Sequence, residues 1–112
     1  MVSRRSVKRG EIWFVKLDPT VGSEIRKTRP CVIVSPAEIH DHLRTAIIAP
    51  LTSKGFSAPY RISIRHGGRD RIILLDQIRA IDKGRLTKRV GVLPPATVSA
   101  VLSLIAELFA EY

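Results

Sequence analysis

The stretch Glu11-Ile12-Trp13-Phe14-Val15-Lys16-Leu17 decides the fold class. It is rich in β-branched and aromatic residues and stops at Asp18-Pro19, a turn signal. Its apolar residues fall on both alternating faces, so the strand it predicts needs cover on both sides. Pro30-Cys31-Val32-Ile33-Val34-Ser35 reads as a second strand, with its proline at the start, where strands tolerate one. Residues 45–51 (TAIIAPL) read as a third, and Pro50 marks an edge or bulge near its end. Between the first two strands, residues 20–28 form a polar loop. Residues 36–43 suit a short helix.

Beyond a loop at 54–59, residues 60–64 (YRISI) alternate like a half-exposed strand, and His66-Gly67-Gly68 reads as a turn. Residues 71–75 and 77–81 are further short strands or one bent strand, and 82–86 suit a single helical turn. The tail differs in kind. Val98, Val101, Leu102, Ile105, Leu108, Phe109 and Tyr112 fall on the stripe of an amphipathic helix that Pro94-Pro95 opens. The expectation is a mainly β chain: a small, strongly bent sheet or barrel of five to seven short, mostly antiparallel strands with a C-terminal helix packed on it. The helix covers part of one face, and a second copy in a homodimer would cover the rest.

At 112 residues the chain has room for one domain, expected over 10–112, after a basic arm at 1–9. No apolar run approaches the roughly 20 residues that span a bilayer. Met1-Val2-Ser3-Arg4-Arg5 carries the charge of a signal peptide's first region, but no apolar block follows. The expected location is the cytoplasm. One cysteine, Cys31, excludes an internal disulfide framework and a multi-cysteine zinc site.

Charge narrows the function. The net charge is +9, and residues 90–112 hold no Lys or Arg and two acids, so residues 1–89 carry +11. A basic body points to a polyanion, nucleic acid first and an acidic protein second. The basic residues share no single amphipathic helix, which argues against a membrane surface.

Several residues could carry chemistry. Proline holds the preceding residue extended, so Pro30 sets Arg29 at the mouth of the second strand, and guanidinium is a natural phosphate ligand. The plainer reading of Arg29 is a surface ion pair. Thr52-Ser53 follows the third strand, where either a functional hydroxyl or turn capping fits. Glu24 lies among Arg26, Lys27 and Arg29, which favour its ionised form, as an ion pair or a proton acceptor. Asp76 breaks an apolar run and either caps a turn, orients an arginine or contacts a base. Cys31 suits buried packing. Trp13 and Phe14 suit core packing ahead of base stacking. The histidines His40, His42 and His66 form no convincing metal set.

Six blocks together are similar to the MazF/PemK toxin family: Arg9-Gly-Glu-Ile-Trp13, Leu17-Asp-Pro19, Gly22-Ser-Glu24, the run from Arg29-Pro30 to Ser35, Pro50-Leu-Thr-Ser53, and Asp76-Gln-Ile-Arg-Ala-Ile-Asp82. They stand in family order and cover nearly the whole chain from Lys8 onward. The resemblance implies an SH3-like barrel with a C-terminal helix, assembled as a homodimer. It also implies a toxin that cuts single-stranded RNA, usually mRNA, without metal or cofactor, and an acidic antitoxin as partner. Arg29 and Thr52 match the family's catalytic arginine and threonine, and Glu24 matches a glutamate implicated in some members. Arg26, Lys27, Ser53, Lys54, Asp76 and Gln77 are the implied RNA contacts.

The chain departs from the family at Ile25-Arg26-Lys27-Thr28, which replaces a common GSEQ-x-G loop. Ser23 and Leu74 stand where some PemK-like members carry histidine and arginine, so the residues favour the Arg29/Thr52 arrangement. Two other readings of the barrel stay open: a non-catalytic toxin like the CcdB gyrase poisons, and a plain RNA-binding domain. The Arg29-Pro30 and Thr52 pair favours the enzyme over both.

Overall fold

Seven strands form one strongly curled antiparallel sheet, a half-barrel, in the computed structural model of the chain, which describes residues 6–19, 21–22, 24 and 27–111. The strands are β1 (Glu11–Lys16), β2 (Thr28–Ile33), β3 (Thr45–Thr52), β4 (Arg61–His66), β5 (Arg69–Leu74), β6 (Arg79–Asp82) and β7 (Leu86–Val92). A short helix α1 (Ala37–His40) links β2 to β3, and helix α2 (Pro95–Leu108) ends the chain. The order is β4-β5-β3-β2-β1-β7, with β6 pairing on β3.

The apolar strands have two cores to fill. Trp13, Val15, Leu17, Cys31, Ile33, Ile48, Ile81 and Leu86 pack inside the curl. Ile12, Val32, Val34, Ala49, Leu51 and Ile73 face the other way and pack with Leu93 and Val101, so α2 seals the second core. That is why 11–17 reads as apolar on both faces. Each fully buried side chain of this size is worth about 1.5–3 kcal/mol, so neither face is optional. The β4–β5 hairpin turns at Gly67 and Gly68, with φ of 62° and 73°, the pair of positive angles a two-residue turn of the right twist requires.

Four details depart from the sequence reading. Strand β7 was not expected. Its exposed Thr87, Lys88 and Arg89 and its Gly91 hide the strand pattern, and its register on β1 is broken twice. A 3-10 turn at Leu75–Gln77 separates β5 from β6, which excludes one bent strand over 71–81. Val7, within the expected arm, is buried in the inner core, while residues 1–5 lie outside the described ones. The predicted helix stripe is only partly covered, since Leu108 is exposed and Phe109 is 73% exposed; Tyr112 lies outside the described residues.

Candidate active site

Strand β3 is where the candidate residues converge. It pairs with β2 as far as Cys31 opposite Pro50. Pro30 and Pro50 remove two backbone donors from the end of this ladder, and the strands part. Arg29 and Thr52 stand two residues beyond that last pair, one on each strand. Beyond that point β3 turns to β5, with Thr52 opposite Ile72. Arg29 is half-buried on β2, opposite Val15 of β1. Thr52 caps a turn. Its Oγ1 accepts a hydrogen bond from the Lys54 N–H at 3.1 Å, which caps the turn and leaves the hydroxyl proton to donate elsewhere.

A cavity of about 210 Å³ lies beside this point, lined by Glu24, Pro50, Asp76, Gln77, Ile78 and Arg79. Glu24 is exposed, and its Oε1 accepts from the Val21 N–H at 2.6 Å, which ties the loop into a turn. Lys27 has φ of 69°, and its N–H donates to Asp18 Oδ1 at 3.0 Å. Arg26 lies outside the described residues. Ser53 and Lys54 are exposed, and Ser53 lines a second cavity of about 520 Å³ with Ser63 and Arg65.

Asp76 does orient an arginine. Arg61 Nε and Nη2 donate to its two carboxylate oxygens at 3.1 and 3.0 Å. These bonds hold the Asp76 carboxyl below its ordinary range, against the upward push of burial. Arg61 stands opposite Leu74 in the β4–β5 register, so a neighbouring strand brings a guanidinium to the edge of the site. Sequence reading missed it because the partners lie 15 residues apart. It also missed Arg79, whose Nη1 donates to the Leu17 carbonyl at 3.4 Å.

Other candidates are structural. Burial pushes the Cys31 thiol up to about 12, against the pull of the Arg79 charge. Trp13 is buried, and its Nε1 donates to Glu11 Oε1 at 3.2 Å, whereas Phe14 is exposed at the surface. His40 is buried against Ser35, its Nδ1 lying 3.0 Å from Ser35 Oγ. His42 is exposed.

Residues 8–109 match the family described as PemK-like, MazF-like toxin of type II toxin-antitoxin system. The chain belongs to this family. Endoribonuclease PemK of Escherichia coli is 36% identical over 115 residues, covering 96% of this chain and 86% of that protein. Endoribonuclease EndoA of Bacillus subtilis is 41% identical over 90 residues, covering 75% and 78%. Among solved structures, MazF from Deinococcus radiodurans superposes with a TM-score of 0.80 at 21% identity, covering 91% of this chain and 94% of that one. A mycobacterial endoribonuclease solved with its cognate antitoxin gives 0.79 at 19%, covering 96% and 99%. These superpositions show that the curled sheet and terminal helix are the MazF fold. No helix among the described residues is long and apolar enough to cross a membrane.

Proposed function

We propose that this MazF/PemK toxin is an endoribonuclease that cuts single-stranded RNA, mRNA foremost, at a short sequence and so stops translation and growth. The observation that carries the reading is that Arg29 and Thr52 stand at the end of the paired stretch of β2 and β3, each two residues beyond the last pair. In-line attack of a ribose 2′-hydroxyl on the adjacent phosphorus leaves a 2′,3′-cyclic phosphate and a 5′-hydroxyl. The step needs a proton removed, charge stabilised on phosphorus and the leaving oxygen protonated. Arg29 neutralises the phosphoryl oxygens, and Thr52 donates its hydroxyl proton to one of them. Glu24, on the cavity wall, is the proton acceptor. Lys27, Ser53, Lys54 and Gln77, with Arg26, contact the strand, and Asp76 acts through its clamp on Arg61. No metal or cofactor takes part.

The basic body supports a second partner, an acidic antitoxin segment lying in the same groove, which salt would weaken. Exposed Leu108 and Phe109 support a homodimer. The site of action is the cytoplasm.

The test is incubation of the protein with a long single-stranded RNA and a matching DNA, with EDTA present, followed by mapping of product ends. The expected result is RNA cut at a recurring short sequence, with cyclic phosphate and 5′-hydroxyl ends, and DNA left intact. Intact RNA from folded protein overturns the reading and points to a toxin acting on a protein target.

A further inference from the structure

Phe56 stands in the loop between β3 and β4 with 62% of its surface exposed. A single exposed apolar residue is ordinary on a protein surface. Phe56 differs in how firmly it is held and in what lies beside it. The Arg61 guanidinium carbon sits 4.5 Å from the centre of its ring, and Arg61 Nη1 donates to the Phe56 carbonyl at 3.3 Å. The same guanidinium is fixed by its two bonds to Asp76, and its side chain is only 11% exposed. Both the ring and its backbone therefore rest on a group that cannot rotate without losing three hydrogen bonds. One ring face is covered by the cation, and the remainder is open to solvent.

The loop that holds this ring starts at the candidate catalytic Thr52. Gly55, with φ of 123°, makes the turn that only glycine takes without strain. A β-carbon at Gly55 would lie 3.7 Å from Arg61 Nη1 and 3.8 Å from the Thr52 methyl, so the guanidinium and Thr52 both border this glycine.

We propose that Phe56 is a stacking platform for a nucleobase of the bound RNA strand, with Arg61 beneath it as a positioning residue. This deepens the ribonuclease reading and rests on it for the identity of the strand. Every base has a π-face, and a ring already backed by a cation forms a guanidinium–phenyl–base sandwich. The +9 net charge draws a polyanion to the surface, and an aromatic fixed on the loop that follows Thr52 would hold one base of the strand whose phosphate reacts.

The experiment uses single-stranded 2′-O-methyl RNA, which cannot be cut by 2′-hydroxyl attack, carrying the fluorescent base 2-aminopurine at each position in turn. Stacking quenches that base. Wild type should quench one position strongly, and Phe56→Ala should lose the quenching and bind roughly tenfold more weakly. Phe56→Tyr should keep both, and all three proteins should share one thermal midpoint and one oligomeric state. Quenching that survives Phe56→Ala, or binding with no quenched position, overturns the platform. A change of oligomeric state in Phe56→Ala also overturns it and makes the ring a contact between copies. The two readings fail separately. A wild type that quenches but cuts no RNA leaves the platform standing and sinks the nuclease, whereas one that neither binds nor cuts sinks both.

Discussion

Similar side chains serve opposite purposes near the two ends of β3. At its beginning, Ser35 Oγ accepts from the Ile47 N–H at 3.1 Å and meets His40 at 3.0 Å, with both side chains buried. At its far end, Thr52 accepts from Lys54 in the same way, yet stays half-exposed, and Pro50 two residues before it lines a cavity with Glu24, Asp76 and Arg79. In the first case every polar group is consumed by the fold. In the second the groups are hydrogen-bonded too, but Thr52, Glu24 and Asp76 keep accessible surface, which is what a substrate needs. Hydroxyl, acid and base types do not separate the two ends; the exposure of each group does.

That contrast can be broken from either end. The largest effect is expected for Arg29→Ala: RNA cleavage should fall roughly 100- to 1,000-fold in an initial-rate assay, since a charge-stabilising donor is lost. Its thermal midpoint should move little. Thr52→Val should lower the rate roughly tenfold to a hundredfold, again with little change in stability.

Ser35→Ala should do the reverse. It should cost about 1–3 kcal/mol in denaturant unfolding, because it strands buried His40 and the half-buried Ile47 N–H, while the cleavage rate per folded molecule holds.

Smaller still is a pH effect. Burial lowers the His40 pKa, helped by the charges of Lys83 and Arg9 and opposed by Asp41. The unfolded chain therefore takes up a proton before the folded one does. The stability held above the ordinary histidine value is lost as pH falls through it toward the lowered folded value. His40→Asn should flatten that decline in midpoints measured between about pH 7 and 5. It should not remove it, because His66 is shifted the same way. Least of all, alkylating reagent should leave native Cys31 unmodified and cleavage unchanged, since its thiol is pushed up to about 12.

Much of this was legible in the chain. β-Branched runs marked β1 to β3, Gly67-Gly68 marked the hairpin, and Pro94-Pro95 marked the start of α2, because each is a local preference. Strand β7 was not legible. It is an edge strand, with Thr87, Lys88 and Arg89 turned to solvent and bulges that blur its alternation. The burial of Val7 was hidden for a related reason, as one apolar residue in a basic segment carries no period. At the site, Arg29 and Thr52 stood out through the family resemblance, and the β2–β3 pairing brings the ends of their strands together. Arg61 and Phe56 stayed hidden. Nothing local tells an arginine on a half-exposed strand that its partner is an aspartate beyond the next hairpin.

The most direct test of the account is a double-mutant cycle on one cleavable RNA: wild type, Arg29→Ala, Thr52→Val and the pair together, with thermal unfolding of the same samples. If both residues act on one phosphoryl group, the double variant should be scarcely slower than Arg29→Ala alone, with all four proteins folded. Losses that simply multiply, or undiminished cleavage by a folded Arg29→Ala protein, would contradict it.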